Sequence, residues 1–111
     1  MQLTANGISI HYQIEGPEDA PVVLLSHSLA ANTTMWELQM PTLTPHYRVV
    51  RYDTRGHGDT EVPDGEYTLD VLANDLFGLL DGLELNQVHY IGLSMGGMIG
   101  QAAALCDASR F

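Results

Sequence analysis

A serine flanked by glycines is the group in this sequence best suited to covalent chemistry. The motif Gly-x-Ser-x-Gly occupies residues 92–96, between an apolar run of strand length (88–93) and a run of small and apolar residues (95–106) typical of a helix. On a sharp turn from strand to helix, a serine holds its hydroxyl above the sheet in a strained conformation, and the helix N-terminus favours negative charge there. The motif therefore predicts that Ser94 is the nucleophile of an acyl-transfer enzyme. The alternative is a glycine-rich turn in which Ser94 only caps the helix.

Strands must carry this serine to the edge of a sheet. Asn6-Gly7, the strongest short signal for a two-residue turn, lies between residues 1–5 and 8–15 and predicts a β-hairpin. A continuous apolar run of strand length lies at residues 21–25, and such runs are typical of parallel strands covered on both faces. Residues 47–52 are predicted as the next strand, and an apolar run at 88–93 as the strand that leads to Ser94.

Helices are predicted between and after these strands. The first covers 35–43, with Asn32-Thr33-Thr34 as its cap and Pro41 ending or distorting it. The second follows the cap Thr68, where leucines recur at helical spacing, and the third covers 95–106. Strands that alternate with helices predict an α/β fold, with a mostly parallel sheet, helices on both faces and the hairpin at one end. Ligands in such sheets bind beyond the carboxyl ends of the strands.

Composition and charge exclude several classes of function. The 111 residues are 45% hydrophobic and carry a net charge of −10, which disfavours nucleic acid and anionic membrane surfaces as partners. The single cysteine, Cys106, excludes an internal disulfide and a cysteine-based metal cluster, and its place on an apolar helix predicts a buried thiol. Neither a run of membrane-spanning length nor a signal segment is found, so we expect a cytoplasmic protein without a bound metal.

Three loops at the ends of the predicted strands together resemble the α/β-hydrolase family. His-Ser-Leu (27–29) resembles its oxyanion loop, Asp-Thr-Arg-Gly-His-Gly (53–58) its loop after the fourth strand, and Gly-Leu-Ser-Met-Gly-Gly (92–97) its nucleophile elbow. Over the longer segments 26–29, 51–58 and 92–101, the sequence is most similar to the 3-oxoadipate enol-lactonases and related small esterases. Ser28, where many relatives have glycine, agrees with that branch. The match covers residues from about 7 to 105.

The resemblance implies a specific chemistry. Ser94 would attack the carbonyl of a small ester or lactone to form an acyl-enzyme, without a cofactor. The main-chain N–H groups of Leu29 and Met95 would form the oxyanion hole. Trp36 would line the substrate pocket, or it would belong to the core, as an aromatic residue on a helix facing a sheet usually does.

The resemblance gives His27 and Asp53 structural places in their loops. His27 would make a structural hydrogen bond, and Asp53 and Arg55, two residues apart in a tight loop, would pair with each other or bind the main chain. The alternative for Arg55 is to anchor a substrate carboxylate. His57 would hold its own loop in place. None of the five histidines suits a general base.

The resemblance also implies that part of the catalytic machinery lies elsewhere. In this family the order is serine, acid and histidine, but only 17 residues follow Ser94. Residues 1–111 therefore resemble the N-terminal portion of one α/β-hydrolase domain, lacking the later strands, the cap region, the acid and the histidine. We expect a separate C-terminal half, or a homo-oligomer, to cover the sheet edge formed by 88–93.

Other functions on the same fold stay open. A cofactor-free perhydrolase uses the same catalytic groups, and a truncated, inactive domain would act only in binding or assembly. Dehalogenases and epoxide hydrolases are disfavoured, since they place aspartate where Ser94 stands.

Overall fold

Hydrogen bonds join five strands into a single mixed sheet in the order β1-β2-β4-β3-β5. The computed structural model describes residues 1–111. The sheet places the hairpin at one edge and the strand before Ser94 at the other, as the sequence predicts. The strands are β1 (Gln2–Ala5), β2 (Ile8–Glu15), β3 (Val22–Ser26), β4 (Arg48–Tyr52) and β5 (His89–Gly92).

The parallel strands end at one level, which brings their loops together. β3 pairs in parallel with both β4 and β5, and Ser26 is in register with Tyr52 on one side and with Gly92 on the other. β2 runs antiparallel to β4 and joins β1 through Asn6 and Gly7, whose φ angles of 49° and 79° are those of a tight hairpin turn. The loops after β3, β4 and β5 therefore leave the sheet at a common edge.

Helices cover both faces of the sheet. α2 (Leu69–Gly82) and α3 (Met95–Cys106) pack on one face, where Leu24 and Val50 of the central strands join the larger core. α1 (Met40–Leu43) packs on the other face, against the side chains that alternate with these. Because helices cover both faces, the side chains of β3 and β4 are buried almost throughout, and the expectation of helices on both faces of the sheet is confirmed.

The first predicted helix is wrong in its extent. A 3₁₀ turn at Thr33–Trp36 and the single turn of α1 replace one continuous helix over 35–43. The side chain of Asn32 caps the 3₁₀ turn by accepting the N–H of Thr34, as expected. Pro41 lies at the start of α1 rather than at its end, because a proline in the first turn of a helix removes only an N–H that has no partner there.

The other two helices are close to the prediction. Thr68 caps α2 by accepting the N–H of Val71 at 3.2 Å. The prediction of a buried thiol at Cys106 is wrong, because the buried stripe of α3 ends at Ala103 and Cys106 is exposed beyond it. Neither α2 nor α3, nor any other helix here, combines the length and the apolar character needed to cross a bilayer.

Candidate active site

Leu93 and Ser94 connect β5 to α3, and Ser94 has a strained conformation. Its φ of 54° and ψ of −114° lie outside the regions of regular helix and strand, and the residue is exposed to solvent. Its side chain makes no capping hydrogen bond to α3, so the geometry does not support the interpretation of Ser94 as a helix cap. The exposed hydroxyl is therefore available to an incoming group.

Close contact between main-chain segments explains the two glycines of the motif. A Cβ at Gly96 would overlap the carbonyl oxygen of Ser26, and a Cβ at Gly92 would overlap the main chain of Gly96. The hydroxyl of Tyr90 donates to the carbonyl oxygen of Gly96 at 2.6 Å. The end of β3, the end of β5 and the first turn of α3 thus pack without intervening side chains, and this contact fixes the turn that carries Ser94.

Two main-chain N–H groups beside this turn have no acceptor within the protein. Met95 is the first residue of α3, where an N–H has no partner inside the helix. Leu29 lies in the loop after β3, and its N–H donates to no other group of the chain. Since β3 and β5 are paired and end at the same level, both N–H groups emerge at the edge of the sheet from which Ser94 projects. Free donors of this kind can stabilise an oxyanion.

His27 is buried at the start of the loop after β3 and makes two hydrogen bonds. Its Nε2 accepts the N–H of Thr54 at 2.9 Å, and its Nδ1 donates to the carbonyl oxygen of Ser28 at 2.7 Å. Burial is the main cause that lowers the pKa of His27 below its ordinary value, because the interior disfavours the charged ring. These are structural hydrogen bonds of the kind that the sequence predicts for His27.

Asp53 joins the loops after β3 and β4. Its carboxylate accepts the N–H of Thr33 at 2.8 Å and the N–H of Asp59 at 2.9 Å. The side chain is buried, and the chain passes so close that a Cβ at Gly58 would overlap the carboxylate. Of the two alternatives expected for Asp53, the structure therefore shows binding to the main chain and not a pair with Arg55.

Arg55 pairs with Asp75 of α2 instead. Its Nε and Nη2 donate to the two carboxylate oxygens at 2.8 Å each, and this hydrogen-bonded pair raises the pKa of Arg55. The side chains of Arg55 and Asp75 are only 12% and 3% exposed. The structure thus gives Arg55 a structural partner, which does not support its assignment as an anchor for a substrate carboxylate.

The sequence contains an indication that Asp75 has a buried partner, but the helical pattern of leucines around it obscures this. Asp75 lies three residues after Leu72 and four before Leu79, on the buried stripe of α2. A carboxylate on the apolar face of a helix needs a cation or donors near it. The side-chain amide of Asn6, in the hairpin turn, also donates to Asp75 at 2.8 Å.

Trp36 belongs to the smaller core. Its side chain, 8% exposed, packs among apolar residues of β3, β4 and α1. Together with Leu25 and Ile91 it also lines a cavity of about 330 Å³ on this face of the sheet. The core alternative for Trp36 is confirmed, whereas its contact with a substrate stays a prediction.

The side chain of His11, in β2, lies close to those of Asp53 and Asp59, in the loop after β4. His11, Asp53 and Asp59 each offer one ligand atom, and these atoms lie within 4.8 Å of one another. The sequence did not predict this group, because β2 and the loop after β4 meet only in the folded sheet. Both carboxylate oxygens of Asp53 already accept main-chain N–H groups, so this side chain serves first to hold the two loops together.

Comparisons with known proteins agree with this geometry. Residues 21–110 match the sequence model of the α/β hydrolase fold family. The chain is 40% identical over 109 residues to 3-oxoadipate enol-lactonase 2 of Acinetobacter baylyi. The aligned region covers 98% of this chain and 41% of that protein. It superimposes on the enol-lactonase of Burkholderia xenovorans LB400 with a TM-score of 0.97 at 43% identity, covering 100% of this chain and 44% of that one.

An epoxide hydrolase of Vigna radiata shares the same architecture. Its TM-score is 0.94 at 32% identity, over 100% of this chain and 36% of that one. The chain spans about two fifths of the length of the enol-lactonases that it matches. The match to the family sequence model covers most of the chain, and the sheet order, the strained serine and the loops around it agree with it. The chain belongs to the α/β hydrolase fold family.

Proposed function

We propose that this chain supplies the nucleophile and the oxyanion hole of a serine hydrolase that acts on a carboxylic ester or lactone. Ser94 Oγ attacks the carbonyl carbon, the bond to the alcohol oxygen breaks, and water then cleaves the acyl-enzyme to free the acid and the serine. The N–H groups of Leu29 and Met95 stabilise the negative charge that develops on the carbonyl oxygen. This chemistry requires no cofactor.

The observation that carries the proposal is the position of Ser94. A side chain held at φ 54° costs free energy, and the hydroxyl of Ser94 caps no helix. The two unpaired N–H groups of Leu29 and Met95 emerge at the same edge. A strained, exposed nucleophile beside free donors is what acyl transfer demands.

The relatives favour ester or lactone hydrolysis over other reactions of the fold. The similar proteins of Acinetobacter and Burkholderia are named enol-lactonases. Although an epoxide hydrolase is also similar, that class places aspartate at the position of Ser94, and an aspartate would form an ester with an alkyl carbon rather than with an acyl group. The serine therefore argues for acyl chemistry.

We propose further that a C-terminal half supplies the acid and the base. β5 pairs only with β3, so its outer edge is open, and Ile91 and Leu93 beside that edge are 44% and 55% exposed. An open, apolar strand edge favours pairing with another strand. The half would be continuous with this chain, separate from it, or replaced by a second copy in a homo-oligomer.

Hydrolysis of p-nitrophenyl acetate and of small lactones tests the proposal. We expect activity when the C-terminal half is present, and a loss of about a thousandfold or more in the Ser94→Ala variant. A fluorophosphonate label should attach to the peptide that contains Ser94 and to no other. Ser109→Ala is the matched control, because Ser109 is an exposed serine outside the three loops, and it should retain the wild-type rate.

Two outcomes would contradict the proposal in different ways. Activity that survives Ser94→Ala would exclude this residue as the nucleophile. If neither the chain alone, the chain with its C-terminal half, nor an oligomer hydrolyses any ester or lactone, the protein acts in binding or assembly instead.

A further inference from the structure

The proposed oxyanion donor on Leu29 belongs to a loop that is exposed and strained. Leu29 is 68% exposed, and Ala30, also exposed, has a φ of 62°. For a residue with a side chain this left-handed conformation is strained. Since the loop has little packing to hold it, hydrogen bonds must keep the Leu29 N–H in its direction.

Two adjacent peptide planes decide that direction. The first contains the carbonyl of Ser28 and the N–H of Leu29, and the second contains the carbonyl of Leu29 and the N–H of Ala30. Each plane is rigid, so a bond to one of its atoms orients the others. Fixing both planes fixes the backbone angles of Leu29 between them.

A different histidine binds each plane. Nδ1 of His27 donates to the carbonyl oxygen of Ser28 at 2.7 Å, on the same peptide as the Leu29 N–H. Nε2 of His57, in the loop after β4, accepts the N–H of Ala30 at 3.1 Å. The Nδ1 of His57 then donates to the carbonyl oxygen of Arg55 at 3.1 Å, which anchors the ring to its own loop.

The hydrogen-bond partners require the same form of both rings. Each Nε2 accepts a main-chain N–H, so each ring is neutral and carries its proton on Nδ1. The ring centroids of His27 and His57 are 5.2 Å apart, so the two rings lie against each other across the two loops.

We propose that His57 is a positioning residue of the oxyanion hole. By accepting the N–H of Ala30, it holds the second peptide plane and so keeps the N–H of Leu29 directed at the oxyanion. This inference rests on the proposed function. It assigns His57 a purpose beyond the shape of its own loop, because the bond crosses to the loop that carries the donor.

Two conservative variants separate the two ring nitrogens. In His57→Gln the side-chain oxygen reaches the position of Nε2 and can accept the N–H of Ala30. In His57→Asn the shorter side chain reaches only the position of Nδ1, so the bond to Arg55 is kept and the bond to Ala30 is lost. We measure kcat and KM for ester hydrolysis with the C-terminal half present, together with hydrogen exchange of the Ala30 amide.

We expect His57→Asn to lower kcat by about tenfold to hundredfold, with KM changed by less than about twofold, since the lost interaction acts mainly in the transition state. Exchange of the Ala30 amide should be faster in the same variant. In His57→Gln, kcat and the exchange rate of the Ala30 amide should both stay near the wild-type values. His46→Asn is the control, because His46 is exposed and lies outside both loops, and it should leave both kcat and the exchange of the Ala30 amide unchanged.

The outcomes distinguish this inference from the function on which it rests. If the wild type shows Ser94-dependent hydrolysis but Asn and Gln at position 57 give equal kcat, the positioning assignment is overturned and the function stands. If kcat falls in His57→Asn while exchange of the Ala30 amide does not change, the assignment is overturned as well. If the wild type shows no Ser94-dependent hydrolysis, both are overturned.

Discussion

Two regions place the proposed catalytic groups, and they do so by different physical means. The polar loop pair, residues 27–33 after β3 and 53–60 after β4, is joined by hydrogen bonds that main-chain N–H groups donate to side chains. The elbow, residues 92–97, is held by direct contact of main-chain atoms at its glycines. The loop pair depends on the polar side-chain atoms that accept these hydrogen bonds, whereas the elbow depends on the absence of a Cβ at its glycines.

This difference predicts opposite sensitivities. Removing a polar partner leaves a buried donor or charge unsatisfied, which costs more than the bond itself contributes. Adding a single methyl group to a contact between main chains forces the backbone apart. Deletions should therefore damage the loop pair and its anchors, whereas additions should damage the elbow.

The largest effect is expected at the anchor of the loop pair on α2. Asp75→Ala leaves Arg55 buried without its partner, and we expect the free energy of unfolding to fall by about 3–5 kcal/mol. Urea denaturation measures this loss. Asp70→Ala, an exposed aspartate on the first turn of the same helix, should cost less than about 1 kcal/mol. Equal losses of unfolding free energy in the two variants would show that the buried pair of Arg55 and Asp75 stabilises the fold no more than an exposed aspartate does.

The next largest effect is expected at the elbow. Gly96→Ala would place a methyl group on the carbonyl oxygen of Ser26, and we expect a loss of about 1–3 kcal/mol in the free energy of unfolding. Gly97→Ala is the matched control, since its Cβ would meet nothing closer than the carbonyl oxygen of Gly92 at 3.5 Å. An alanine there should be neutral or stabilise α3 by up to about 1 kcal/mol. A small loss at Gly96 would contradict the close-contact account of the elbow.

A smaller effect of the opposite sign is expected at Ser94. Ser94→Gly removes the strain of a side chain at φ 54°, so the free energy of unfolding should rise by about 1 kcal/mol while hydrolysis is lost. Thermal unfolding and the ester assay measure the two quantities on one sample. Ser109→Gly should instead lower stability, because the hydroxyl of Ser109 donates to Asp107. A less stable Ser94→Gly variant would show that the serine is not strained.

The smallest effect is a dependence of stability on pH that belongs to the loop pair. Burial lowers the pKa of His27 in the folded protein below the ordinary value of 6.5, so the unfolded chain takes up a proton first as the pH falls. Stability is therefore full above about pH 6.5 and declines as the pH falls from there towards the lower folded pKa.

Denaturant midpoints from about pH 8 to about pH 5 measure this slope. The slope should be reduced in His27→Gln and unchanged in His46→Gln, where the histidine is exposed. A slope that is the same in all three proteins would exclude His27 as its source.

Local features were predictable from the sequence because they depend on near neighbours. Asn6-Gly7 predicts its hairpin turn since both residues tolerate positive φ, and the apolar runs predict strands buried on both faces. The glycines on either side of Ser94 indicate a tight turn between strand and helix. Because parallel strands end together, the three loops were expected at one edge, and they lie there.

Partners that are distant in sequence were not predictable. Asp53 and Arg55, two residues apart, were expected to pair with each other or to bind the main chain, but Arg55 pairs with Asp75 of α2, and Asp53 accepts N–H groups of two loops. The broken first helix is similar. Pro41 was known to perturb it, but the place where the chain turns depends on how Trp36 packs against the sheet.

The sequence by itself determined the strands, the hairpin, the elbow and the edge at which chemistry is proposed, because backbone preference and hydrophobic periodicity act over a few residues. Only the tertiary structure decided that Asp75 neutralises Arg55 and that His57 binds the peptide after Leu29. The physical reason is that a hydrogen bond or an ion pair depends on the distance between atoms. For residues in different loops and helices, that distance is set by the order of strands in the sheet.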